Sequence, residues 1–280
     1  MKNLKKDLFK RLISSFCLIG IVTLLLVFAY VPYFFIPVVG IIALFATVST
    51  KELVNINKQK VVSSNLLLLI FSPLLVISFF FNTVDPIFSN MPLVVIFLFT
   101  IAVFVKHFSA VEGSIVDNSV AVFSLIFISV PLGMLVSILY STKVSSFVDG
   151  RLWIVVILLL SKISDIFGYF IGKLFGKNKM IEKVSPNKTW EGSIAGVIAT
   201  LGVAALVQYF FPEIFNSYLK AIVIGFVTVI LSQIGDLSES LLKRDAGVKD
   251  SSSIPGIGGV LDSLDSLLFT IPFYYIWLSY

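Results

Sequence analysis

The residues best suited to chemistry are concentrated in one stretch of the chain, residues 240–265. Its candidate ligand-binding residues are Lys243, Arg244, Lys249, Asp250, Asp262 and Asp265. Lysine and arginine bind phosphate oxygens, whereas carboxylates bind hard cations such as Mg²⁺. Charge is costly in so apolar a chain and is normally kept where something charged must be bound. The stretch therefore predicts a site for a metal ion and phosphate groups.

Glycines occupy the middle of this stretch. Gly256, Gly258 and Gly259 lie between the carboxylates of Asp250 and Asp262. Because glycine has no side chain, the backbone there can adopt positive φ angles and can approach a ligand closely. We expect these glycines to help bind a substrate.

A run of polar residues leads into the stretch from the apolar segment before it. Its members are Ser232, Gln233, Asp236, Glu239, Ser240 and Lys243. Their spacing places them on one helix face, which must contact other polar groups. Asp236 is the deepest carboxylate and the strongest metal candidate. Asp262 and Asp265 are three residues apart at the start of the last apolar segment, so we expect them to share a helix face and to converge on Asp236. Alternatively, Glu239 and Lys243, at i and i+4, simply pair with each other.

An earlier apolar segment also carries charge. Lys162 and Asp165 are three residues apart and share a helix face, so they are functional candidates or a buried ion pair. Gly168, Gly172 and Gly176 follow at intervals of four. Such a stripe of small residues is typical of close helix packing, and it predicts that another helix approaches Asp165.

The segment between residues 185 and 192 is predicted to be a loop that contacts substrate. Pro186 ends a helix and disfavours the helical conformation at Ser185. Lys188 offers a phosphate contact. Glu191 opens the next apolar segment, where a carboxylate alternatively serves as a helix cap.

The composition places these residues in a membrane protein. Hydrophobic residues make up 58% of the 280 residues and charged residues only 13%, which is outside the range of soluble domains. We predict a single integral membrane domain over 1–280, with a mostly apolar helical scaffold in 1–150 and a catalytic half in 151–280. The acidic residues of the first half, Glu52, Glu112 and Asp117, are interpreted as solvated loop residues, and we expect no metal or catalytic role for the only histidine, His107.

The predicted fold is all-α and polytopic, with about nine transmembrane helices. The apolar runs lie at about 12–30, 33–49, 64–81, 91–106, 119–140, 152–175, 192–211, 219–238 and 261–279. Most of the lysines and arginines fall on one face if the N-terminus is cytoplasmic and the C-terminus lies on the opposite face. This orientation predicts a site that faces the cytoplasm. Short loops and the lack of an organelle-targeting segment suggest the inner (cytoplasmic) membrane of a bacterium.

The motifs together resemble those of a known enzyme family. The pattern Ser-x-x-Lys-Arg-x-x-x-x-Lys-Asp, then Pro-Gly-x-Gly-Gly-x-x-Asp-x-x-Asp, spans 240–265 and is similar to the signature of phosphatidate cytidylyltransferases, also called CDP-diacylglycerol synthases. The segments 165–169, 185–192 and 233–237 are also similar to that family. The resemblance covers roughly 160–270.

The resemblance implies a reaction and a role for each residue. CTP and phosphatidate would give CDP-diacylglycerol and pyrophosphate with Mg²⁺, as one or two cations, in a lipid bilayer. The metal candidates are Asp236, Asp262, Asp165 and Asp265. The catalytic candidates are Lys243, Arg244, Lys249 and Asp250. The substrate-binding candidates are Ser185, Lys188, Ser240, Gly256, Gly258 and Gly259. The resemblance also suggests a homodimer, which the glycine stripes allow, and no nucleic-acid partner is expected.

Two positions depart from the family pattern. Ile257 stands where the family usually has histidine, and Ser263 stands where it usually has arginine. Any proton-transfer or phosphate role of that histidine, and any ion pair of that arginine, cannot be carried over. The alternatives are a weak or inactive family member that acts as a scaffold, a polytopic transporter of a phosphorylated solute, and a different lipid-linked transferase or kinase.

Overall fold

A computed structural model describes residues 20–56, 65–109, 111–141, 148–252 and 258–279. Among these described residues there are seven helices that are long and apolar enough to cross a membrane. They lie at Phe35–Ile56, Asn65–Val84, Pro86–His107, Ser114–Tyr140, Gly150–Phe175, Trp190–Phe210 and Tyr218–Asp245. Each overlaps one of the predicted apolar runs, so the prediction of a polytopic helical membrane protein is confirmed. The count of nine and the orientation remain predictions.

The helices are labelled in chain order. The labelled helices are α1 (Phe35–Ile56), α2 (Asn65–Val84), α3 (Met91–His107), α4 (Ser114–Ser124), α5 (Val130–Tyr140), α6 (Gly150–Phe175), α7 (Trp190–Phe210), α8 (Pro212–Phe215), α9 (Tyr218–Asp245), α10 (Val260–Leu264) and α11 (Leu267–Ser279). A 3-10 turn at Pro86–Phe88 precedes α3, and a π-helical segment at Leu125–Ser129 joins α4 to α5. Residues 20–28 are also helical, and the rest of the first predicted run lies outside the described residues.

The chain divides into two compact units. The first contains Met1–Tyr140 and Val248–Leu264, and the second contains Ser141–Gly247 and Asp265–Tyr280. The core of the first unit is built from buried apolar side chains of α2, α3 and the α4–α5 region. Its members include Leu75, Phe79, Phe99 and Leu125. Two buried hydroxyl groups also meet in this unit, since Ser72 Oγ and Ser129 Oγ lie 2.8 Å apart.

A buried ion pair in the first unit corrects one expectation. Asp117 was interpreted as a solvated loop residue, but it lies in α4 and is buried. Its carboxylate lies 3.0 Å from Nε2 of His107, whose Nδ1 donates a hydrogen bond to the Val103 carbonyl at 3.0 Å. The prediction for Asp117 was wrong because its position after a polar turn resembles a loop, whereas the contact that buries it comes from α3.

Glycines bring α6 and α7 together in the second unit. A methyl group added at Gly192 would lie 2.5 Å from the Gly168 carbonyl oxygen and 3.0 Å from Gly172 Cα. A methyl group added at Gly196 would lie 3.0 Å from the Ser164 carbonyl oxygen. The predicted close packing of the glycine stripe is therefore confirmed, and α7 is the helix that approaches the segment carrying Asp165.

A small β-hairpin replaces the predicted loop before α7. Strand β1 (Lys179–Ile181) pairs antiparallel with strand β2 (Ser185–Thr189), so the described residues are not entirely helical. The Thr189 hydroxyl caps α7 by accepting a hydrogen bond from the Gly192 N–H at 3.2 Å. Glu191 lies in the first turn of α7, as the alternative for it stated, and its carboxylate also accepts hydrogen bonds from the backbone N–H and the side-chain amide of Asn178. The hairpin fixes the position of Lys188.

The last predicted apolar run is not one helix. The chain forms α10, turns at Asp265 and Ser266, and then forms α11. The Asp265 carboxylate accepts a hydrogen bond from the Ser266 backbone N–H, a local bond that competes with helix formation. Gly235 of α9 accommodates the turn, because a methyl group there would lie 2.4 Å from the Asp265 carbonyl oxygen. The prediction that Asp262 and Asp265 share a helix face is therefore wrong.

Candidate active site

A pocket of about 180 Å³ opens in the second unit. Its lining residues come from α6, the hairpin, α7 and α9. They include Asp165, Asn187, Lys188, Ser193, Gln233 and Asp236. The pocket therefore contains a predicted phosphate-binding cation and two predicted metal-binding carboxylates. Polar side chains gathered in a concave site are a common mark of a ligand-binding site.

An ion pair lies at this pocket. Lys188 Nζ of β2 is 2.6 Å from Oδ2 of Asp236 on α9, and both side chains are about a quarter exposed. Such a pair is stronger than one on the surface, because water screens it less. The two predicted roles, phosphate binding by Lys188 and metal binding by Asp236, thus belong to side chains in direct contact. A phosphate group or a cation that entered the pocket would compete with this pair.

A second lysine, Lys162, pairs with the neighbouring carboxylate of Asp165. Lys162 Nζ lies 3.4 Å from Asp165 Oδ2, so the two side chains do pair, although they are 42% and 33% exposed and the pair is not buried as that alternative stated. The same ammonium group donates a hydrogen bond to the Ser266 hydroxyl at 3.0 Å. Lys162 therefore connects α6 to the turn that precedes α11 while it offsets the charge of Asp165.

The turn between α10 and α11 places a further carboxylate, that of Asp265, near these charged residues. Asp265 interacts electrostatically with Asp236, with Lys162 and with Asp165. Burial and the nearby Asp236 carboxylate both raise the pKa of Asp265. The second unit thus places the predicted metal candidates Asp165, Asp236 and Asp265 within electrostatic reach of each other.

A polar network missed by sequence reasoning lines the same pocket. Gln233 Oε1 accepts a hydrogen bond from the Ser193 hydroxyl at 2.5 Å, and Gln233 Nε2 donates to the Ser193 carbonyl at 3.2 Å. Gln233 Nε2 also lies 3.5 Å from the Ser164 hydroxyl. Gln233 was recognised in the polar stripe of α9, but Ser164 and Ser193 carry no signal apart from their place beside the glycine stripe. The network holds α6, α7 and α9 in register around the pocket.

The cations at the end of α9 have separate contacts. Lys243 is buried and its ammonium group pairs with Glu239 one turn earlier, as one alternative predicted. Ser240 is buried beside them. Arg244 is exposed, and its Nε donates a hydrogen bond to the Val184 carbonyl at 3.2 Å. Arg244 therefore ties α9 to the turn of the hairpin that carries Lys188.

The remaining catalytic and substrate-binding candidates lie in less enclosed positions. Ser185 begins β2 and is partly buried, whereas Lys249 and Asp250 are exposed in the segment after α9. Asp250 belongs to the first unit together with Asp262. The predicted substrate contact at Gly256 lies outside the described residues.

The glycine-rich segment of the first unit is organised by carboxylates. Gly258 has a φ angle of +89°, and a methyl group at Gly259 would lie 1.8 Å from the Ser251 hydroxyl oxygen. Oδ2 of Asp262 accepts hydrogen bonds from the Ser251 backbone N–H at 3.1 Å and from the Ser251 hydroxyl at 3.0 Å. The positive φ at Gly258 was predicted, whereas the predicted approach of these glycines to a ligand stays a prediction. The close neighbours are side chains of the protein itself.

A buried glutamate completes this arrangement. Glu52, interpreted from the sequence as a solvated loop residue, lies in α1 and is only 7% exposed. Its carboxylate accepts hydrogen bonds from the backbone N–H groups of Val260 and Leu261 and from the Ser251 hydroxyl. The interpretation was wrong because the partners of Glu52 lie at least 199 positions later in the chain. An acidic residue at the end of an apolar run was the only signal available.

The donor chemistry of these sites fits a hard divalent cation, because every candidate ligand is a carboxylate oxygen. Among the residues that the structure describes, no group of three or more acidic, histidine or cysteine side chains is placed to hold a metal ion. Mg²⁺ commonly takes one or two protein carboxylates and completes its shell with water and substrate phosphates. A cation bound here would therefore depend on the phosphates of the substrate.

Comparison with known proteins identifies the chain's relatives. A model of the Cytidylyltransferase family matches residues 9–280, which is nearly the whole chain. The chain belongs to this family.

Individual members of the cytidylyltransferase family are similar over shorter spans. The phosphatidate cytidylyltransferase of Chlamydia muridarum is 35% identical over 190 residues, which are 66% of this chain and 62% of that protein. The enzyme of the same name from Haemophilus influenzae is 42% identical over 129 residues, 45% of each chain. The one from Bacillus subtilis is 42% identical over 117 residues, 41% of this chain and 43% of that protein. The chain thus spans less than two thirds of the length of these relatives.

Proposed function

We propose that the chain is a Mg²⁺-dependent phosphatidate cytidylyltransferase, which converts CTP and phosphatidate to CDP-diacylglycerol and pyrophosphate for phospholipid synthesis. The observation that carries the proposal is the contact between Lys188 and Asp236 in a pocket that also contains Asp165, in a member of the cytidylyltransferase family. A paired cation and carboxylate match the two needs of nucleotidyl transfer, which are phosphate binding and charge neutralisation.

The reaction requires one bond to form and one to break. A phosphate oxygen of phosphatidate attacks the α-phosphorus of CTP. The bond from that phosphorus to the oxygen bridging the β-phosphate breaks, and pyrophosphate leaves with the electron pair. Because the phosphatidate phosphate is already ionised at neutral pH, the attack needs no strong general base. Isoleucine at position 257, where the family usually has histidine, is therefore compatible with the reaction.

The residues of the chain would position the phosphates. When substrate enters the pocket, the ammonium group of Lys188 would leave the Asp236 carboxylate and bind a phosphate oxygen instead. The Asp236 carboxylate would then be available to bind a cation. Arg244 holds the hairpin that carries Lys188, and its guanidinium group suits a phosphate oxygen as well. Buried Lys243, offset by Glu239, would contribute positive potential at the end of α9.

The cation would be held by carboxylate oxygens. Asp236 and Asp262 are the principal candidates, and Asp165, Asp250 and Asp265 are secondary candidates for one or two Mg²⁺ ions. When bound, Mg²⁺ supplies positive charge to the triphosphate oxygens and to the leaving pyrophosphate.

The proposed membrane arrangement extends what the described helices support. We propose nine transmembrane helices, with the first run at about 12–30 and α11 added to the seven described spans. Lysine and arginine would then concentrate on the cytoplasmic side, with the N-terminus inside and the C-terminus outside. The active site would face the cytoplasm from the inner membrane, where CTP and Mg²⁺ are available. The family resemblance also supports a homodimer.

The test of the proposed function uses purified protein in detergent with CTP, phosphatidate and Mg²⁺. We expect release of pyrophosphate together with a CDP-diacylglycerol product, and we expect both to stop when EDTA is added. Folded protein that binds CTP without forming this lipid would point to another lipid acceptor. Folded protein that neither binds CTP nor forms product would favour the scaffold or transporter alternatives.

A further inference from the structure

Glu52 is a buried acidic side chain in a part of the chain that otherwise consists of apolar helices. Its Oε1 accepts a hydrogen bond from the Val260 N–H at 3.2 Å, and its Oε2 accepts one from the Leu261 N–H at 2.9 Å. The Ser251 hydroxyl lies 3.2 Å from the same Oε2. A buried carboxylate is stable only when hydrogen bonds or charges compensate it. All of these partners flank Gly258 and Gly259 in the sequence.

Ser251 links Glu52 to Asp262. The Ser251 hydroxyl lies 3.2 Å from Glu52 Oε2 and 3.0 Å from Asp262 Oδ2. A hydroxyl carries one proton, so it donates to only one of these carboxylates at a time. The Ser251 backbone N–H, 3.1 Å from Asp262 Oδ2, holds Asp262 in either case. The position of Asp262 therefore depends on the placement of Ser251, which Glu52 contacts.

Gly259 makes this contact possible. A methyl group at position 259 would lie 1.8 Å from the Ser251 hydroxyl oxygen and 2.7 Å from Glu52 Oε2. Neither atom could stay in place beside such a group. The glycine here is therefore required for the approach of Glu52 and Ser251, whatever its role toward a substrate.

We infer that Glu52 is a positioning residue of the transferase site, which fixes the start of α10 and, through Ser251, the Asp262 carboxylate. The inference rests on the proposed function, since Asp262 is there a ligand of the catalytic cation. Glu52 does not need to touch substrate. It acts by holding Ser251 and the backbone N–H groups of Val260 and Leu261.

The carboxylate is essential to this role because each of its two oxygens accepts a hydrogen bond from a backbone N–H group. Glutamine at position 52 has nearly the same shape but replaces one acceptor oxygen with an NH₂ donor. That donor would face a backbone N–H group of α10 or the Ser251 hydroxyl. Glu52→Gln therefore changes the hydrogen bonding of the segment without leaving a cavity. Glu112→Gln is the matched control, because Glu112 is an exposed glutamate of the same unit.

The experiment combines two measurements on full-length protein in detergent. The first is hydrogen exchange at the amides of Val260 and Leu261, without Mg²⁺ or CTP. The second is kcat for CDP-diacylglycerol formation, with the melting temperature as a check on folding. We expect Glu52→Gln to accelerate exchange at both amides and to lower kcat by about 10–100-fold, the range found for side chains that orient a metal ligand. Glu112→Gln should change neither quantity.

A second variant covers the case in which Glu52→Gln does not fold. Ser251→Ala removes only the hydroxyl and keeps the backbone N–H to Asp262, so we expect a loss in kcat of about 2–10-fold, equivalent to one hydrogen bond. Wild-type kcat in a folded Glu52→Gln protein would overturn the inference, even if amide exchange increased. Failure of the wild-type protein to form CDP-diacylglycerol would instead overturn the proposed function, so the two failures are distinguishable.

Discussion

Asp236 of the second unit and Asp262 of the first unit are held in different ways. In the pocket of the second unit, Asp236 contacts the ammonium group of Lys188, and Asp165 contacts that of Lys162. In the first unit, Glu52 and Asp262 are held by backbone N–H groups and by the Ser251 hydroxyl. A side-chain cation can be exchanged for a ligand, whereas backbone donors stay with their acceptor as long as the segment is folded. Asp236 is thus held by a partner that a ligand could displace, whereas Asp262 is held by a donor of the backbone.

The largest expected effect comes from removing the charge of Asp236. Asp236→Asn should lower turnover at least about 10²-fold, the scale for loss of a key electrostatic group, and should leave the protein folded. Asp262→Asn is expected to cause a loss of similar size. Steady-state formation of CDP-diacylglycerol with CTP and phosphatidate measures both. Near-normal turnover in both variants would contradict the metal-binding assignment.

The exchangeable nature of the Lys188–Asp236 pair can be tested by a double-mutant cycle. Lys188→Met should lower kcat/KM for CTP by about 10–100-fold, because a positive group aimed at a phosphate is lost. Lys220→Met, which removes an exposed lysine of the same unit, is the control and should have little effect.

The cycle is completed by combining Lys188→Met with Asp236→Asn. Side chains in direct contact usually show coupling free energies of about 0.5–3 kcal/mol. We therefore expect the losses in kcat/KM to be clearly non-additive. Additive losses would mean that the two side chains act independently, so the contact between them would have no part in catalysis.

A smaller effect is expected from the packing that supports the pocket. Gly192→Ala introduces a methyl group 2.5 Å from the Gly168 carbonyl oxygen, and overpacking of this kind costs about 1–3 kcal/mol. The melting temperature in detergent should fall. Gly202→Ala, on the same helix but with no atom within 4 Å of the added methyl group, should leave the melting temperature unchanged or raise it. Equal melting temperatures for the two variants would show that α6 and α7 are not closely packed.

Much of the second unit could be predicted because its signals are local. Lys162 and Asp165 are three residues apart, and the glycines of the stripe are four residues apart. Residues at these spacings lie on the same face of a helix, so the sequence alone indicates which side chains are neighbours. The seven described spans were predicted from continuous apolar runs. The hairpin that carries Lys188 was missed because its strands are short and Pro186 suggested a loop.

The first unit was harder to predict because its important contacts are distant in sequence. Glu52 meets Ser251, which lies 199 positions later in the chain, and no periodicity links them. Asp117 is buried by its contact with His107, although both residues lie near polar turns. In the second unit, the break at Asp265 was missed because a hydropathy pattern does not show the hydrogen bond between the Asp265 carboxylate and the Ser266 backbone N–H. Burial of charge depends on tertiary partners that single-sequence patterns do not identify.

We propose that the protein transfers the cytidylyl group of CTP to a lipid phosphate in the pocket that contains Asp236 and Lys188. The most direct measurement follows where the label of CTP goes. Purified wild-type protein and the Asp236→Asn variant are each incubated with phosphatidate, Mg²⁺ and CTP that is labelled at either the α-phosphate or the γ-phosphate. We predict that wild-type protein transfers the α-label to lipid and releases the γ-label as pyrophosphate, and that the variant does neither. Transfer of the γ-label to lipid, or undiminished α-transfer by the variant, would contradict the account.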